Sequence, residues 1–188
     1  MFINIITPSV RIGNLIKIGD SINIPRANYR WIVVIDALKM DKGTHETDRG
    51  ILNMYPPNAQ IYFHGQQGSV FGNVQRNFAL DLVEDDYVYF LDDDTLLHPD
   101  LWNSVKNLNN DFIHFNQQHK NGSKRIGGVV KLNHIDSGSV LIHHSLIGGT
   151  RWVLHRRAAD GVFIEEVYGR AKSPIFINKN LSTYNKIR

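Results

Sequence analysis

The chain has 188 residues, of which 42% are hydrophobic and 21% charged, with a net charge of +3. This balance suits one globular domain over 1–188 and excludes a disordered chain, and the small charge excess serves an anionic small molecule as well as a nucleic acid. The chain has no cysteine, which excludes disulfides, a thiolate metal site and a cysteine nucleophile, and fits a reducing, cytoplasmic setting.

The N-terminal stretch Phe2 to Ile6 is a short apolar run ending at Thr7-Pro8-Ser9, where proline stops a strand and opens a turn. It has neither the basic leader nor the long apolar run of a signal peptide. No stretch in the chain approaches the roughly 20 apolar residues of a membrane span. Apolar residues at 12, 15, 16 and 18 have near-helical spacing. Trp31 to Ile35 is a second strand, ending in Asp36. Gln60 to His64 is a third, preceded by Pro56-Pro57.

From Asn73 to Val83, Val74, Phe78 and Leu82 recur at i, i+4 and i+8, which predicts a helix with one apolar face. Tyr87 to Leu91 is apolar without alternation, as in a central parallel strand covered on both sides, and runs directly into Asp92-Asp93-Asp94. A helix is predicted from Pro99 to Leu108, and strands over 112–115, 128–132, 139–143 and 174–177. Gly161 to Gly169 reads as a helix with Asp160 as its N-cap. Strands alternating with helices, then mostly strands, predict an α/β fold with a mostly parallel central sheet and late antiparallel strands.

Three adjacent carboxylates repel one another unless a cation or hydrogen bonds offset the cost. At the carboxyl end of a buried strand they sit where open α/β sheets bind ligands. Hard oxygen donors of this kind favour Mg²⁺ or Mn²⁺, ions that also bind substrate phosphates. The spacing fails as an EF-hand, because Leu96 and the lack of a central glycine break the pattern. An aspartyl phosphatase motif is weakened because Thr95 falls one place early.

The segment Asn73-Val-Gln-Arg-Asn-Phe-Ala-Leu-Asp81, followed by Tyr87-Val-Tyr-Phe-Leu-Asp-Asp-Asp-Thr95, resembles the GT-A class of glycosyltransferases, in particular the inverting family-two-like and glucuronyltransferase-like enzymes. The opening Ile-Ile-Thr-Pro-Ser-Val-Arg is also similar to their first strand and nucleotide loop. The matching elements run from about residue 3 to 168. The resemblance implies a three-layer sandwich and a sugar donor of the UDP or GDP type, with a glycan or glycoprotein acceptor and no nucleic acid. It implies that Thr7, Pro8 and Arg11 line the nucleotide pocket and that Asp36 meets the base or ribose. Arg76 is then expected near the diphosphate or the donor sugar, Asp92 and Asp93 on ribose and sugar hydroxyls, and Asp94 on the metal.

An inverting transfer needs a base to take the acceptor's proton. In the class this resembles, the base is an Asp or Glu at the start of a late helix, and Asp160 fits that place. A carboxylate there is expected to have its pKa lowered by backbone N–H groups and the helix dipole. Glu165 and Glu166 are rivals, and Asp136 is a candidate on the acceptor side. His155 is a candidate for completing the metal site and Trp152 for stacking on a sugar. Two other readings of the acids stay open: nucleotidyl or phosphoryl transfer, and a non-catalytic nucleotide-sugar-binding domain.

Overall fold

The computed structural model describes residues 1–39, 58–67, 70–125, 127–156 and 158–187. The Pro56-Pro57 stop lies outside the described residues. Strands β1 (Ile3–Ser9), β2 (Tyr29–Ile35), β3 (Ala59–Phe63) and β4 (Tyr87–Phe90) pair in parallel in the order β3-β2-β1-β4. Helix α1 (Leu15–Ser21) follows β1, and α2 (Asn73–Leu80) precedes β4.

After β4 come the two-residue strand β5 (Leu96–Leu97), helix α3 (Leu101–Val105), β6 (Phe112–His119), β7 (Lys124–Arg125) and β8 (Val140–His143). The short helix α4 (His144–Ile147), helix α5 (Ala159–Tyr168) and strand β9 (Pro174–Tyr184) complete the described chain. The sheet continues from β4 as β8-β6-β9-β5, with β7 on β6. β8 is antiparallel to both β4 and β6, while β6 and β9 are parallel.

The central strands bury both faces, which is why β1, β2 and β4 are predominantly apolar. Ile3, Ile5, Trp31, Val33, Tyr89 and Leu91 alternate onto one face and pack with Leu15 and Ile18 of α1 and Leu101 and Val105 of α3. Ile6, Ile32, Val34, Val88 and Phe90 point the other way, against Ala79 and Leu80 of α2 and Phe163, Ile164 and Val167 of α5. The result is three layers: helices, sheet, helices. No helix among the described residues is long and apolar enough to cross a membrane.

β1 does not stop at Pro8. Ser9 O accepts from Asp36 N on the β2 side and Ile6 O accepts from Leu91 N on the β4 side. The position of Pro8 therefore faces β4, whose pairing with β1 has already ended at Ile6–Phe90. The missing proline N–H leaves no ladder bond unmade.

The strand expected over 128–132 is absent. Val129 is half exposed, and the backbone closes on itself instead, Lys131 N donating to Val129 O and His134 N to Lys131 O. Val130 alone packs partly against the core. β9 runs to Tyr184, well past the expected end at Ile177, because β6 extends to His119 and pairs with it throughout, across register shifts near Asn116.

Candidate active site

A cavity of about 810 Å³ opens over the carboxyl ends of β2, β1 and β4 and reaches the turn before β8. The structure brings Pro8, Arg11, Asp36, Arg76, the whole acid triplet and Asp160 to its wall. Thr7 is the exception among the residues expected there. It is fully buried, and its hydroxyl accepts from Trp31 Nε1 at 2.9 Å, so it belongs to the core beneath the pocket.

The three acids have different surroundings. Asp92 pairs with Arg76 through Nη2 at 2.5 Å. Asp93 is the most heavily bonded. Its Oδ2 accepts from Val10 N at 2.8 Å, Arg11 N at 2.9 Å and Ser9 Oγ at 3.3 Å, while Oδ1 meets Arg11 Nη1 at 2.5 Å. It pins the loop after β1 to the loop after β4. Asp94 Oδ2 lies 3.2 Å from the same Arg11 nitrogen. At the far end, Asp36 Oδ1 accepts from Leu38 N at 3.0 Å and Oδ2 faces Lys39 Nζ at 3.2 Å.

Arg76 is only 3% exposed. Its guanidinium lies over the Trp152 ring, 4.7 Å from the centroid, and Nη1 donates to Phe71 O at 2.6 Å. Burial works against its charge, but the carboxylates of Asp92 and Asp160 outweigh that cost and raise its pKa. It is a buried hub, not a surface arginine paired with Asp81, whose partner is Arg151. Trp152 is itself buried and stacks on Phe163 at 4.7 Å, so it supports Arg76 from below and presents no ring to a sugar. The loop before α2 is drawn tight over β1. Gly72 has φ +75° and a Cβ there would lie 2.7 Å from the Pro8 ring.

Asp160 is not the N-cap of its helix. Ala158 holds that position and Asp160 is the second residue of α5. Its pKa is not lowered either. Burial and the carboxylates of Asp136 and Asp92 push it up, Arg76 pulls it down, and the balance leaves it at about 7. Ser137 Oγ donates to its Oδ2 at 3.4 Å. Gly161 lets the helix start here, since a Cβ would meet Leu132 Cα at 2.9 Å. Of the rivals, Glu166 is exposed, accepts from Thr150 Oγ1 at 2.6 Å and pairs with Arg170, away from the cavity. Glu165 and His155 are exposed and are not part of the wall among the described residues. Asp136 is on the wall, its Oδ1 accepting from Gly138 N.

Six further wall residues are given no role by the sequence: Ser9, Val10, Lys39, Phe71, Gln75 and Tyr184. Gln75 alone had a local signal, being a polar residue on the apolar stripe side of α2. Its Nε2 donates to His64 O at 3.0 Å, and its Oε1 is buried with no hydrogen-bond partner. Tyr184 arrives from β9 and had no signal within its own segment.

Six carboxylates face three cations, Arg11, Lys39 and Arg76, on this wall. The acids outnumber the cations, so the wall carries an excess of negative charge. The donors are hard oxygens, which suits Mg²⁺ or Mn²⁺. Among the described residues no group of three or more His, Cys, Asp or Glu side chains could enclose a metal. A single carboxylate is a donor that Mg²⁺ takes together with substrate phosphates and water.

No protein-family profile and no curated protein matches this sequence. Solved structures do. Residues 1–349 of TarS from S. aureus superpose with a TM-score of 0.75 at 16% identity, over 98% of this chain and 60% of that 1–349 piece, which has also been solved with UDP-GlcNAc. The mannosyltransferase PcManGT from Pyrobaculum calidifontis, in complex with GDP-Man and Mn²⁺, gives 0.72 at 15% identity over 97% of this chain and 56% of its own. The inositol-1-phosphate CTP transferase from T. maritima gives 0.59 at 11% identity, over 98% of this chain and 89% of its own. The chain thus spans about three fifths of the TarS and PcManGT chains it overlays. Together with the parallel β3-β2-β1-β4 half-sheet and the antiparallel β8, these superpositions establish that the chain has the GT-A fold that TarS and PcManGT share.

Proposed function

We propose that the chain transfers a sugar from a nucleoside-diphosphate donor to an acceptor hydroxyl, with inversion, using Asp160 as base and a divalent ion at Asp94. The observation that carries this reading is the layout of the cavity. Asp36 stands at the end of β2, the triplet at the end of β4, and Asp160 beyond them beside Ser137. Neighbouring strands are roughly 4.8 Å apart, so three strand steps span about 14 Å, which suits an extended nucleotide sugar. The base or ribose lies toward Asp36 and Pro8, the diphosphate toward Asp94 and Arg11, and the sugar toward Asp92 and Asp160.

In this reading Asp93 holds the β1 loop in place and so shapes the nucleotide pocket. Arg76 orients Asp92 and keeps a positive charge close to the reacting end. Asp160 takes the proton from the acceptor oxygen as that oxygen bonds to the anomeric carbon. The carbon–oxygen bond to the diphosphate breaks, and its electron pair leaves with the phosphate. A pKa near 7 makes Asp160 a stronger base than an ordinary carboxylate, yet still largely ionised a little above neutrality. A Mn²⁺ or Mg²⁺ ion at Asp94 would stabilise the charge on the departing diphosphate. PcManGT, solved with GDP-Man and Mn²⁺, supports both the donor class and the metal. The acceptor is proposed to be a glycan or glycoprotein.

Nucleotidyl transfer is the second reading, favoured only by the T. maritima likeness. Against it, the loop after β1 has Gly13 as its single glycine and is tied down by Asp93, so it is not free to wrap a triphosphate. The test is turnover of UDP- and GDP-sugars by Asp160→Asn. Retained donor binding with sugar transfer and donor hydrolysis both lost supports the assignment. Unchanged turnover rejects Asp160 as base.

A further inference from the structure

The carboxylate assigned to the metal already has a cation against it. Arg11 Nη1 bridges Asp93 Oδ1 at 2.5 Å and Asp94 Oδ2 at 3.2 Å. A divalent ion on Asp94 would lie beside that guanidinium, and the repulsion between the two charges opposes its binding unless the guanidinium moves. Two features make that movement possible. The Arg11 side chain is 36% exposed and lies on the cavity wall, so it has space to turn. Its shorter contact is to Asp93, and Asp93 is fixed from below by Val10 N, Arg11 N and Ser9 Oγ. Arg11 can therefore release Asp94 while staying anchored on Asp93.

We propose that Arg11 guards Asp94 against free metal ions and yields it only when a diphosphate arrives, so that metal and diphosphate bind as a coupled pair. This rests on the reading of Asp94 as the metal carboxylate. A bare divalent ion would have to displace a positive charge and then lie beside it. A diphosphate changes the balance, because its oxygens match the planar fork of a guanidinium and give Arg11 a new partner as it leaves Asp94. The coupling is reciprocal: whatever factor the diphosphate adds to metal affinity, the metal adds to diphosphate affinity. The same displacement keeps the acid triplet from being occupied by metal in the absence of donor.

The test is direct binding of Mn²⁺, read from the electron paramagnetic resonance signal of the free ion, to the wild type, Arg11→Gln, Arg11→Met and Asp94→Asn. Each is measured alone and with saturating UDP or GDP. Removing the charge at Arg11 should tighten Mn²⁺ binding in the absence of nucleotide by roughly three- to tenfold. It should weaken metal-free nucleotide binding, and so shrink the gain in Mn²⁺ affinity that nucleotide brings. A merely structural role for Arg11 would weaken both ligands together, and that result overturns the proposal, as does unchanged Mn²⁺ affinity in both charge-removing variants. Arg11→Met keeps the alkyl stem and gives the same reading should the glutamine variant fold poorly. If Asp94→Asn binds Mn²⁺ as the wild type does in the presence of nucleotide, the metal assignment itself fails. If Asp94→Asn loses Mn²⁺ and the Arg11 variants do not gain it, only the guarding role fails.

Discussion

Asp160 is pulled in two directions. Burial and the nearby Asp136 and Asp92 carboxylates favour its protonated form, while Arg76 favours its anion. The balance leaves it near 7, and two outcomes follow at this single residue. The acid limb of the kcat/KM profile should fall near pH 7, and Asp160→Asn should lower kcat by at least about 10²-fold at every pH. Stability should respond in the opposite sense. The unfolded chain ionises this group near 3.9 and the folded chain near 7, so between those values the native state holds the extra proton and stability declines as pH rises. Asp160→Asn removes that penalty. Urea denaturation should find the variant less stable or equal near pH 4 and more stable by about 1–3 kcal/mol near pH 8, the figure being discounted for partial solvent contact. A constant difference across that range would contradict the raised pKa.

At the scale of elements, helix α2 does more than cover the sheet. Its apolar side packs Ala79 and Leu80 against the core, while its polar side binds the chain that leads into α5. Asn77 Oδ1 accepts from Trp152 N at 2.7 Å and its Nδ2 donates to Trp152 O at 3.0 Å. Asn73 Nδ2 donates to Val153 O at 2.9 Å. The Arg-Asn pair therefore splits its work, Arg76 holding Asp92 and Asn77 seating the segment that places Asp160. Asn77→Ala would leave the Trp152 N–H and carbonyl unpaired, at a cost of about 1–3 kcal/mol. It should lower kcat through a displaced α5 while leaving nucleotide affinity within about twofold by calorimetry. A loss confined to nucleotide affinity would contradict this division of roles.

Elements of this kind were legible to different degrees. Tyr87 to Leu91 declared itself as a buried strand because both of its faces are apolar, and the triplet marked its end. The 128–132 run has the composition of a strand, yet its Val129 stays half exposed and the backbone turns. β5 and β7 are two residues long each, too short to carry any period.

On the scale of the whole molecule, the cavity collects side chains from widely separated parts of the chain, from Pro8 to Tyr184. The sequence could name most of the acids that line the cavity, because carboxylates following buried strands fall at the mouth of an open sheet. It could not show that Thr7 turns inward to Trp31, since a hydroxyl next to a proline suits a pocket and a core equally. Nor could it show that Trp152 lies under Arg76, or that Asp160 sits deep enough for burial to override its helix. Those are properties of how the two apolar layers close around the sheet.

The central claim is that this cavity binds a nucleoside diphosphate together with a divalent ion at Asp94. Calorimetric titration of UDP, GDP and their sugars, with and without Mn²⁺, tests it most directly. The account predicts that one nucleotide class binds, that Mn²⁺ tightens it by tenfold or more, about 1.4 kcal/mol, and that Asp94→Ala abolishes that gain. Failure of both nucleotides to bind, or equal affinity with and without metal in the wild type, would contradict it.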